Sequence, residues 1–212
     1  MTAPVDVNRC WRECRARARR DGIVEAVRGL NTALSPDAPP RGPGGHALVP
    51  ADAVPLPGGQ DGPGLVAAAA EPATTGPATA AGARASVEWQ AGLVWVRLGA
   101  SEGLRDAVVA RLAKRTTDGT PLLMKQLVQG ALADVLTEQL EAQCVLSESD
   151  APPDAAAMGR LHDRITLADR ALLRLLGAHG FTVPGPGWDA HLSELLADVH
   201  REPRSTTPPE ES

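Results

Sequence analysis

A shortage of aromatic residues does most to limit what this chain can build. Four tryptophans, one phenylalanine and no tyrosine serve 212 residues. Any core must therefore come from leucine, valine, alanine and isoleucine. Sheet sandwiches lean on aromatic and β-branched side chains, so this supply favours helix packed on helix. The length leaves room for one domain of ordinary size with tails.

Proline and glycine divide the chain. Residues 35–85 hold ten prolines and nine glycines, which makes regular structure hard to sustain. This stretch reads as a linker, mostly disordered. "HALVPADAVPLPGG" carries enough apolar alternation for one or two weak strands, and "LVAAAA" (65–70) is a further apolar island. Before it, Trp11, Cys14, Ala18, Val24, Val27, Leu30 and Leu34 recur at helical spacing, predicting one helix over 8–34. After it, residues 86–201 read as a helical domain, and 202–212 as a disordered polar tail.

Within the helical block the periodicity predicts segments over about 87–115, 121–148, 154–177 and 190–201. "TTDGTP" separates the first two as a turn, with Asp-Gly at a positive-φ position and Pro121 opening the next helix. "SESDAPPD" and "GAHGFTVPGPG" make the other breaks. Long helices joined by short turns run antiparallel to their neighbours, giving a bundle. The short fourth helix leaves an apolar face for the N-terminal helix or another subunit to cover.

Net charge is −5, so the chain as a whole has no strong pull toward nucleic acid. Arg9, Arg12, Arg15, Arg17, Arg19 and Arg20 crowd the first helix and read as a solvated face relieved by Glu13, rather than a phosphate-binding patch. Cys10 and Cys14 share one helix face at i, i+4, and with Cys144 read as ordinary reduced thiols, not a metal site. No apolar run reaches the ~20 residues of a membrane span. The first twenty residues lack the apolar middle of a secretory signal, so a cytoplasmic location is expected. His46, His162, His191 and His200 have no ligand spacing and read as surface residues.

Two motifs resemble the C-terminal helical domain of the acyl-CoA dehydrogenases. The first is "KRTTDGTPLLMKQLVQGALADVLTEQLEA" (114–142), where Arg115, Thr117, Gly119, Pro121, Leu122, Gln126, Leu132, Ala133 and Asp134 stand in register with the family's helix–turn–helix. The second is "RLLGAHGF" (174–181), similar to the family's Gln, then Leu-Gly-Gly-x-Gly-aromatic; "LSELLADVHR" (192–201) resembles the segment after it. The match spans about residues 93–201. It implies a bundle holding FAD across a subunit boundary. Glycines at the helix end would let backbone approach the diphosphate, and an arginine would supply charge. On this resemblance Arg115, Thr117, Gln126, Arg174, Gly177, Ala178 and Gly180 would contact the flavin. The partner would be a second copy or a full-length acyl-CoA dehydrogenase homologue, and the substrate an acyl thioester.

The departures from the pattern fall on functional positions. Asp118 stands for the phenylalanine that packs on the flavin, Arg174 for the glutamine and Ala178 for the second glycine. Counting on from Asp198, Thr206 takes the place of the glutamate that removes the substrate α-proton; Glu202 comes too early and is followed by Pro203. The stretch before residue 86 is too short for the family's flavin-covering β domain. Together these departures imply a catalytically impaired subunit, with no catalytic residue of its own, completing the FAD site of a full-length partner in α,β-desaturation. A non-catalytic helical dimerisation or interaction module is the alternative.

Overall fold

The computed structural model describes residues 6–34, 40–51, 64–69, 80–148, 151–182 and 185–201. Asp6 opens the first element: its side chain accepts the Arg9 N–H at 3.1 Å and caps α1 (Val7–Asp21), satisfying one of the donors left open at a helix start. Arg19 and Arg20 close the same helix, where positive charge suits the carbonyl end. Gly22, at φ +91°, then breaks the chain before α2 (Ile23–Leu34). The single helix expected over 8–34 is therefore two, because a left-handed residue cannot continue an α-helix.

Two short strands come next, within the proline-rich stretch. β1 (His46–Pro50) and β2 (Leu65–Ala69) pair antiparallel, Val49 opposite Val66. Ala47, Leu48 and Val49 are buried. The rest of the disorder expected over 35–85, like the tail 202–212, lies mostly outside the described residues.

α3 (Ala80–Lys114) is the axis of the molecule. Every residue from Ala91 to Glu102 is buried. A helix apolar on all sides needs neighbours on all sides, and α3 has them. Trp11, Arg15 and Arg19 of α1 meet Glu88, Glu102 and Asp106 in rising order. A Cβ at Gly99 or Gly103 would run into the Arg15 or Arg19 carbonyl oxygen, so the glycines let the two backbones touch. On the other side Asn31 of α2 accepts the Trp89 indole N–H at 2.8 Å. The N-terminal helices thus cover the face left open by the later ones. The arginines expected to be solvated are in part structural: Arg15 pairs with buried Glu102 and lies over the Trp95 ring, 5.6 Å from its centroid.

β3 (Thr116–Thr117) and β4 (Thr120–Pro121) form a minimal hairpin around Asp118 and Gly119, both at positive φ (52° and 75°), the pattern a two-residue hairpin turn demands. A 3-10 turn, Leu122–Met124, leads into α4 (Gln126–Ser147). Pro121 therefore ends the hairpin rather than opening the helix. The Asp154 side chain accepts the Ala157 N–H and caps α5 (Ala155–Leu176). A 3-10 turn, Gly177–Phe181, separates it from α6 (Pro186–His200), which starts four residues before the expected Ala190.

Numbers fall along α6 as they rise on its neighbours. Arg97 meets Ser193 and Trp89 meets His200; Asp163 pairs with Arg201 and Arg170 with Glu194. Arg164 ties α5 to Glu138 and Glu141 of α4. Two apolar clusters result. The larger joins α1, α2, the first part of α3, and parts of α4–α6 around Trp11, Ile23, Leu30, Trp89, Leu98 and Leu196. The smaller gathers Leu104, Val108 and Leu112 with Val135, Ala168, Leu172 and Leu176. Among the described residues no helix is long and apolar enough to cross a membrane.

Candidate functional site

The start of the first motif and the second motif lie at one end of the fold. Leu112, three residues before Arg115, shares a cluster with Leu122, Leu123, Leu173 and Leu176. That cluster holds the end of α3, the hairpin exit and the end of α5 together. Arg115, Thr117, Asp118 and Gln126 are exposed around the hairpin; Arg174, Gly177 and Ala178 are exposed at the end of α5. The Arg115 carbonyl accepts the Leu122 N–H at 2.7 Å, which fixes the hairpin base.

The paired glycines at the end of α5 have separate duties. Gly177 turns the chain at φ +58°, its N–H donating to the Arg174 and Leu173 carbonyls. A Cβ there would meet nothing within 4 Å, so the constraint is conformational. Gly180 is buried. Its carbonyl lies where a Cβ on Gly187 would sit, so the close approach it permits is with the start of α6.

A second constellation lies between α3, α5 and α6. Arg97 has no exposed surface. Its Nε donates to the Ser193 hydroxyl at 3.0 Å, its Nη2 to Thr166 at 2.8 Å, and its Nη1 to the His162 carbonyl at 3.2 Å, with His162 Nδ1 2.8 Å away. A guanidinium has no lone pair to offer, so His162 Nδ1 is the acceptor and its ring is neutral. Burial first, then the Arg97 charge, holds His162 well below the ordinary histidine range. Arg97 itself is pushed down to about 10 by burial, with Asp169 the leading opposing charge; it remains a cation at neutral pH. Asp169, also buried, goes the other way. Burial raises its carboxyl to about 7, against the Ser101 hydroxyl, the Arg97 charge and the Ser193 hydroxyl. Its Oδ2 accepts from Ser193 at 3.4 Å, and its Oδ1 has no hydrogen-bond partner.

His200 completes the buried set. It stacks on Trp89 at 4.8 Å between centroids, its Nε2 faces the Leu48 N–H at 3.5 Å, and burial lowers it to about 4. The surface expectation for His162 and His200 is thus corrected: both occupy inward positions of apolar helices. His191 is exposed.

No protein-family model matches this chain, and no curated protein matches it.

Two depressions flank the Arg170–Glu194 ion pair. One, of about 350 Å³, is walled by Asp169, Leu173, Trp188 and Ala190; the other, of about 390 Å³, is walled by His162, Asp163, Asp198 and Arg201. Among the described residues no three or more His, Cys, Asp or Glu are placed to hold a metal ion. The three cysteines are free, with Cys10 and Cys14 on the buried face of α1. Sequence reasoning missed Arg97, Asp169 and Ser193. The available signal was a polar residue inside an otherwise apolar helical stretch, as in "GLVWVRLGA".

Proposed function

We propose that this chain is a helical subunit of acyl-CoA dehydrogenase type, an antiparallel bundle that completes the FAD site of a full-length partner without catalysing on its own. The observation that carries the reading is the exposed end where the Arg115 hairpin, the start of α4 and the Gly177 turn rest on one leucine cluster. An exposed guanidinium is what a diphosphate binds; the Gly177 N–H is already given to the Arg174 and Leu173 carbonyls, so the turn would offer close backbone approach rather than a donor. FAD would lie against Arg115, Thr117, Gln126, Arg174, Gly177 and Ala178; Gly180 would support the turn from beneath. The reaction served is α,β-desaturation of an acyl thioester, with the partner supplying the base. Thr206, at the family's base position, lies outside the described residues.

Asp118 opposes this role, since its exposed carboxylate stands beside the proposed phosphate site. Exposed Met124, Leu127, Leu136 and Leu140 on and before α4 favour the second reading, a non-catalytic module that dimerises through this face. Co-expression with a full-length homologue separates the two. A complex with flavin absorbance that Arg115→Ala bleaches supports the first. A colourless homodimer whose melting temperature ignores FAD supports the second and removes the first.

A further inference from the structure

We propose that the depression where α3 and the end of α6 meet the first turns of α5 binds a phosphate group, free or as the end of a small ester. It lies apart from the Arg115 hairpin, and the inference does not rest on the flavin reading.

The walls of this depression carry donors and no carboxylate. Arg41, Ser86, Gln90, His162 and Arg201 line a space of about 160 Å³, the share of about five waters. The two depressions beside the Arg170–Glu194 pair differ. One includes Asp169 and Glu194, the other Asp163, Glu194 and Asp198. An anion entering either would meet like charge; here it meets guanidinium.

Most of these donors are unspent. Arg41 is exposed and makes no ion pair with a described residue. Ser86 and Gln90 stand one turn apart on α3, half-buried, and neither side chain bonds to a described residue. His162 is 3% exposed. Its Nδ1 accepts from Arg97, so its proton is on Nε2. That N–H has no described partner, yet it is not among the buried polar atoms sealed from solvent. Arg201 is spent in part: both its Nη groups hold Asp163, which cancels that carboxylate, and its Nε lies beside Gly159. The start of α5 is already capped, the Ala157 and Met158 N–H groups going to Asp154. The side-chain donors therefore carry the site.

A glycine holds Arg41 in place. A Cβ on Gly42 would fall on the Val199 carbonyl oxygen, so the bare backbone passes directly against the end of α6. The Gly42 N–H donates to the His46 carbonyl at 2.8 Å, and its carbonyl accepts from Gly45 at 2.9 Å. These bonds fasten the loop ahead of β1 and bring Arg41 over the depression. Arginine suits this position, because its planar fork matches two phosphate oxygens at once.

Calorimetric titration of the full chain at neutral pH and fixed ionic strength tests this with inorganic phosphate, ethyl phosphate and acetate. At least one of the two phosphates should bind at a single site, roughly tenfold or more tightly than acetate, and the tighter of the two identifies the source. Arg41→Ala should weaken that binding by roughly tenfold, the worth of one charge-assisted contact. Gln90→Leu, which removes a neutral donor, should weaken it by about threefold. Asp198→Asn, in the neighbouring depression, should leave it unchanged. No saturable phosphate binding by the folded chain overturns the proposal, as does acetate binding equally well. Affinity that survives Arg41→Ala also overturns it, and so does affinity that rises in Asp198→Asn, which would put the anion in the other depression. Arg41 is exposed, so its variant keeps the fold and the test stays decisive.

Discussion

The two halves of α3 live in different surroundings. From Ala91 to Glu102 the helix is buried on every side, by α1 and α2 on one flank and by α5 and α6 on another. From Leu104 to Leu112 only one stripe is buried, and the helix runs out into an exposed hairpin. The first half has no face to spare for a partner, yet it carries the buried charge. The second has a free face and exposed polar residues. Rigidity and availability are thus separated along one helix, which suits a domain that presents one end to another molecule.

Breaking the inner half should cost most. Arg97→Ala removes the donor to Ser193, Thr166 and His162 at once and leaves Asp169 without its cation. A loss of about 3–5 kcal/mol, read by chemical denaturation, is expected for a broken buried charge network. A loss under about 1 kcal/mol would mean that the network is not formed. Gly99→Ala comes next, because its methyl would meet the Arg15 backbone rather than a flexible side chain. About 1–3 kcal/mol is expected for such overpacking, and a neutral result would place α1 elsewhere.

Acid should sharpen the same contrast. His162 and His200 are held below the ordinary 6.5, the latter to about 4. Their contribution is complete above 6.5 and is lost as pH falls through their lowered values. Asp169 has the opposite sign: raised from 3.8 to about 7, it contributes fully below 3.8 and loses that contribution as pH rises through 7. Two histidines outweigh one carboxyl, so stability should fall by on the order of 2 kcal/mol between neutrality and mild acid. Asp169→Asn, which removes the opposing contribution, should steepen the fall in a pH series of melting temperatures.

The outer half should yield the smallest stability effects. Arg115→Ala and Leu127→Ser alter exposed positions, Leu127 at 89% exposure, so each should stay within about 0.5 kcal/mol in the isolated chain. Arg115→Ala should act on flavin absorbance in a complex, and Leu127→Ser on elution volume at high concentration. A large destabilisation from either would show that this end belongs to the core.

Helix content was legible because leucine and alanine recur at helical spacing and the breaks carry glycine or proline. The Asp118-Gly119 turn was legible from its residue types alone. The Gly22 break was harder to read: the apolar stripe continues across it from Ala18 to Val24, and a single glycine can also sit inside a helix. The pairing of β1 with β2 was hidden because its partners sit far apart in the chain. The buried site was hidden for a different reason. His162 and Asp169 look like ordinary surface residues until α3 and α6 pack against α5, and one-dimensional periodicity does not register depth; of the set only Arg97 stands inside an apolar stretch.

The glycine contacts between α1 and α3 bear on how the chain comes off the ribosome. Arg15 and Arg19 lie against Gly99 and Gly103, which are synthesised more than eighty residues later. Until then Trp11, Ile23, Val27 and Leu30 have no long helix to cover them. Such distant pairing slows folding and prolongs exposure to aggregation. Nascent chains stalled before α3 should therefore engage chaperones, and release them once Gly103 has cleared the exit tunnel.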